Sequence, residues 1–104
     1  MASFRELENN LKTFLIDSQS DAHNVKTMSS SRYNNIKITM DPKKIKQKHV
    51  TIKMGMSEAV FSLDSFEKLG GGLGFEERLV HRWFERSGIK NRLEECWNAE
   101  MLKT

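Results

Sequence analysis

At 104 residues the chain has room for one domain, residues 1–104, large enough to bury a core without metals or disulfides. A lone cysteine, Cys96, excludes an internal disulfide framework. The polar start and the lack of an apolar run near the ~18 residues of a membrane span predict a cytoplasmic protein with no membrane partner. The net charge of +3 hides a polarised chain: from Arg32 to Lys53, Arg32, Lys37, Lys43, Lys44, Lys46, Lys48 and Lys53 face only Asp41, and the remainder is net acidic.

In chain order, Ser3 with Glu6 has the form of a capping box, in which each side chain satisfies an amide left over at a helix start. Phe4, Leu7, Leu11, Phe14 and Leu15 then mark one apolar stripe, with Arg5, Glu8, Asn9 and Lys12 on the wet side, a helix of roughly three to four turns. Residues 17–32 offer little to bury, and their serines, Asp and Asn compete with the backbone for hydrogen bonds, which predicts a mobile loop.

Tyr33 to Met40 alternates, with Ile36, Ile38 and Met40 on one face and Lys37 and Thr39 on the other, until Asp41-Pro42 stops the strand. A basic connection, Lys43 to Lys48, leads into the clearest period-two segment, His49 to Met54. There Val50, Ile52 and Met54 oppose His49, Thr51 and Lys53. Gly55 makes a turn, and Ala59 to Leu63 is the third strand.

Asp64 with Glu67 repeats the capping pattern, and Phe66 and Leu69 suit one buried helical turn ending at Gly70. The glycines of residues 70–74 are then expected to break regular structure. Phe75, Leu79, Val80, Trp83 and Phe84 follow helical spacing with Glu76, Glu77, Arg78, Arg82 and Glu85 outside, and Ser87-Gly88 ends the helix. Ile89, Leu93, Cys96, Trp97 and Met101 mark a last helix. The class is α+β: two layers, a three-stranded antiparallel meander with an N-terminal helix and a C-terminal helical pair, order αβββαα. On topology alone this order is similar to that of the double-stranded RNA-binding domain. Phe75-Glu76-Glu77-Arg78 stands where that domain carries its lysine cluster, so no family follows.

Most chemistry is poorly supported. The glycine loop lacks the Lys-Ser or Lys-Thr of a phosphate-binding loop, and Glu76 and Glu77 would repel phosphate from the helix start. Cys96 lies in an apolar stripe and reads as core rather than as a nucleophile activated by His81. His23, His49 and His81 have no partners at metal-ligand spacing, so neither a metal nor a cofactor is predicted. A second C-terminal helix acting in a DNA groove would carry Glu94, Glu95 and Glu100 towards phosphates.

The strands are more informative. Lys37, Thr39, His49, Thr51 and Lys53 are expected on one open sheet face with Lys43, Lys44, Lys46 and Lys48 at its rim, a surface suited to an anionic partner. The resulting expectation is a small non-catalytic module binding nucleic acid or an acidic protein through Lys37, Lys43, Lys44, Lys46, Lys48, His49 and Lys53. One alternative is a protein-interaction or homo-oligomeric (homodimeric) protein using apolar helix surface, given two Trp, six Phe and six Met. A third is a nuclease-like enzyme with His49 as general acid or base.

Overall fold

The computed structural model describes residues 3–20, 35–74 and 76–103. Helix α1 (Phe4–Ser20) starts with the Ser3 half of the predicted capping box: the Glu6 amide donates to Ser3 Oγ at 3.1 Å. Leu7, Leu11 and Leu15 are fully buried on one side, and Ile16 is half-buried beside them. The helix continues through Asp17 to Ser20, where a loop was expected, because each residue added to an established helix brings one more backbone hydrogen bond. The rest of the expected 17–32 loop, with Tyr33, lies outside the described residues.

Four strands follow: β1 (Ile36–Thr39), β2 (His49–Met54), β3 (Ser57–Ser62) and β4 (Lys68–Gly72), antiparallel neighbours in chain order. Met54 pairs with Ser57 across a two-residue turn whose first residue, Gly55, has φ 58°, the conformation glycine supplies in a tight hairpin. The three-stranded expectation is therefore corrected to four. The fourth strand occupies residues expected to be a helical turn and an unstructured glycine loop.

Local hydrogen bonding explains the difference. Ser62 Oγ accepts from the Asp64 and Ser65 amides at 3.1 and 3.4 Å, so the segment is captured as a turn before Asp64 can cap a helix. The turn closes with Phe66 N to Ser62 O at 2.8 Å and Ser62 N to Glu67 O at 2.9 Å, returning the chain antiparallel to β3. Phe66 takes a left-handed φ of 60°, and its ring stacks on Phe84 at 4.3 Å and 7° between planes, which offsets the backbone cost. Gly71 crosses β3 closely: its φ is 72°, and a Cβ there would run into the Glu58 carbonyl oxygen.

Helices α2 (Glu76–Phe84) and α3 (Ile89–Leu102) are joined at Gly88, φ 84°. Val80, Trp83 and Phe84 of α2 and Ile89, Leu93, Cys96 and Trp97 of α3 join the same core as α1 and one sheet face. That face shows the register at work: Ile36 opposes Met54, Ile52 lies between Ile38 and Ala59, and Val50 opposes Phe61, all buried. Trp83 Nε1 donates to Asn10 Oδ1 at 2.8 Å and ties α2 to α1. The architecture is α+β, order αββββαα, and among the described residues no helix is long and apolar enough to cross a membrane.

Candidate anion-binding face

Alternation that buries Ile36, Ile38, Ile52 and Met54 turns Lys37 and Lys53 outward, where they sit directly opposite each other. The Ile38 amide points away from β2 and donates to Glu8 Oε2 at 2.9 Å, so Ile38–Ile52 is the wide-bonded position. Lys37–Lys53 is then the hydrogen-bonded type, with Cα atoms about 5.5 Å apart. Thr39 and Thr51 form the next row, and beyond Lys53 lie Glu58 and then Gly72. The positive charge of this face is therefore concentrated on its β1–β2 side.

Like charges set directly opposite on a sheet destabilise it by roughly 0.2–1 kcal/mol. Among the described residues the ion pairs are Lys48–Glu94, Lys68–Glu77 and Lys103–Glu100, and neither Lys37 nor Lys53 belongs to them. Lys53 has Glu58 directly opposite on its other side, so the uncompensated like-charge cost falls on Lys37 at the edge strand.

The two lysines also border a groove of about 1000 Å³ between the sheet and α1, whose other wall brings Arg5, Glu8 and Lys12. Glu8 is engaged with the Ile38 amide, so its charge is partly spent on holding α1 against the edge strand. Four cations thus surround a space containing one committed carboxylate. Arg5 and Lys12 were read from sequence only as the wet side of a helix. Their spacing shows that they share a face with Glu8, but nothing in it indicates which strand that face adjoins.

The other expected residues are not part of this group. Lys43 and Lys44 sit on a capped turn in which the Ile45 and Lys44 amides donate to the Asp41 carbonyl at 3.0 and 3.1 Å, while Asp41 Oδ1 accepts from Lys44 N at 3.3 Å. They are exposed, as is Lys46, in the connection beyond the Thr39 end of β1, a strand end roughly 7 Å from Lys37 at 3.3 Å per residue. Lys48 is half-buried and pairs with Glu94 of α3 at 3.6 Å. The single continuous basic surface expected from sequence divides into a strand-and-helix group and a separate loop group.

His49 is the clearest departure, because it is fully buried rather than displayed on the open face. Its ring meets Trp97 edge-on at 5.2 Å. Nε2 accepts from the Asp41 amide at 3.1 Å, which leaves Nδ1 to donate to the Gln47 carbonyl at 2.8 Å. Both nitrogens therefore hold the ends of the 41–48 connection, and period-two alternation fails at this strand end because the loop and α3 close over it.

Elsewhere the chemistry is structural. Burial pushes the Cys96 thiol up, with Glu95, Glu100 and Glu6 acting in the same direction, so it stays protonated and unreactive. Glu77 Oε1 accepts from the Leu73 amide at 3.3 Å and pairs with Lys68, taking a position an anion would need at the start of α2. Glu76, expected in water, is buried there instead, at the positive end of the helix. Helix α3 turns Ile89, Leu93 and Trp97 into the core. Comparison with protein-family models, curated proteins and solved structures finds no match to this chain.

Proposed function

We propose that this protein is a non-catalytic binding module whose open sheet face engages the phosphate backbone of nucleic acid. The observation that carries the reading is the Lys37–Lys53 opposition, a pair of exposed cations held side by side at a cost to the fold. Lysines act on phosphates as point charges, and each neutralised phosphate releases counterions, giving affinity that depends on charge rather than sequence. Among the described residues the face bears Thr39 and Thr51 beside the lysines and no aromatic platform, which suits backbone contact more than base reading.

Two other readings draw less support. His49 has both ring nitrogens in backbone hydrogen bonds and is closed off by Trp97, so it is badly placed as a nuclease general base. An apolar interface needs a contiguous patch, yet Trp83, Trp97, Phe61 and Phe84 are consumed by the core. Among the described residues the exposed large apolar ones, Met56, Leu69, Met101 and Leu102, are divided among the β2–β3 turn, β4 and the end of α3.

The test is a gel-shift series with single- and double-stranded oligonucleotides across salt concentrations, with wild type and K37S/K53S. Wild type is expected to bind at low salt with log affinity falling linearly in log salt, and the variant to bind more weakly with a shallower slope. Absence of binding to either form at low salt would overturn the proposal and leave an acidic protein as the partner to seek.

A further inference from the structure

The groove beside the lysine pair is more specific than a charged surface, and the geometry points to a single nucleic-acid strand lying in it, between α1 and the β1–β2 ribbon. This rests on the backbone-binding reading above and adds where the strand runs and why it is single. Cations meet the space from two walls, Arg5 and Lys12 from the helix and Lys37 and Lys53 from the strands, so a chain of phosphates inside it is flanked on both sides. A volume of about 1000 Å³ is at the upper end of recesses that engulf a compact ligand. A few nucleotides of one strand fit such a concavity, whereas a duplex, convex and wider than its own ~12 Å major groove, would touch only the rim.

The rest of the lining suits the other half of a nucleotide. Met56, at the turn tip, is 102% exposed, a large apolar side chain left in water at the mouth of the groove. Phe4 lines the same space from the helix and is half-buried. A flexible thioether and a phenyl ring offer apolar surface to bases without selecting among them. Asn9 and Asn35 add amides, each presenting both donor and acceptor to base edges. Phosphates held by four cations and bases resting on Met56 and Phe4 make a sequence-tolerant site for single strands. The lysines of the 43–46 turn are not in it.

The experiment compares fluorescence-anisotropy titrations of oligothymidylate, oligouridylate and a duplex of equal length against four proteins: wild type, R5S/K12S, K43S/K44S/K46S and M56S. For single strands, four neutralised phosphates predict a log–log salt slope of about −2.8, from roughly 0.7 per phosphate. R5S/K12S is expected to make that slope shallower by about 1.4, and the loop variant to leave it unchanged. M56S is expected to lower affinity by a similar factor at every salt concentration, with no change of slope, because its contact is apolar. Circular dichroism confirms that each variant is folded.

Equal or tighter binding of the duplex by wild type would overturn the inference while the broader backbone-binding proposal stands. So would a slope that responds to the loop lysines and not to Arg5 and Lys12. No binding of any oligonucleotide would instead defeat the broader proposal itself.

Discussion

Replacing Gly71 with alanine tests the least expected element of the fold, because β4 exists only if the chain can pass close over β3. At φ 72° a side-chain-bearing residue costs about 1–2 kcal/mol in backbone strain alone. The added carbon would also run into the Glu58 carbonyl oxygen and lie 3.0 Å from its carbon and 3.1 Å from Ala59 Cα, all backbone atoms that cannot swing aside. Relief requires β4 to lift from β3, giving up two or more ladder hydrogen bonds at about 0.5–1.5 kcal/mol each. The total is about 2–5 kcal/mol, a large share of the roughly 5–15 kcal/mol that holds a domain folded. Urea denaturation followed by tryptophan fluorescence reads this directly, and melting should fall by about 8 °C or more. Gly70 is the control, since a Cβ there meets nothing within 4 Å and its φ is ordinary, so G70A should stay within about 0.5 kcal/mol of wild type. Equal stability of G71A and G70A would refute the close crossing and the four-stranded sheet with it.

Other substitutions separate binding from folding. K37T removes a like-charge opposition and should raise stability by about 0.2–1 kcal/mol in low-salt denaturation, with the gain shrinking as salt is added. H49A removes two backbone hydrogen bonds and the ring against Trp97, and should cost about 2–4 kcal/mol; a loss under about 0.5 kcal/mol would contradict its structural role. E8A leaves the Ile38 edge amide without its carboxylate, so destabilisation of about 1.5–3 kcal/mol is expected in the same assay. For Cys96, burial holds the thiol above its ordinary value, so the stability it contributes is complete below the unfolded thiol range. That contribution is lost as pH climbs through the folded value. C96A should therefore flatten the alkaline limb of a stability–pH curve, and native wild type should resist alkylation that proceeds readily in urea.

Elements with one dominant local signal were legible from sequence. The Ser3–Glu6 cap, the Leu7, Leu11 and Leu15 stripe, and the alternation through Ile36, Ile38, Ile52 and Met54 each state a preference that packing then respects. Residues 68–72 were not legible, because their pairing depends on β3 and on the turn held by Ser62, and no periodicity within the segment itself shows either. The glycines that look like a break are what let β4 pass the Glu58 carbonyl. His49 was misplaced for a similar reason: alternation assigns a face, but the 41–48 connection and Trp97 decide whether that face is open at the strand end. Of the candidate site, the Lys37–Lys53 pair was visible in the pattern. Arg5 and Lys12 join it only once α1 is packed against the edge strand through Glu8 and Ile38.

Amide chemical-shift mapping with a short oligothymidylate reports directly where an anionic strand sits. Shifts should concentrate at Lys37, Lys53 and the Arg5–Lys12 side of α1 and weaken together as salt is raised. A map centred on the outer face of α3 or on β4, with the Lys37 and Lys53 amides unmoved, would contradict the central claim that the charged β1–β2 side of the sheet is the binding surface.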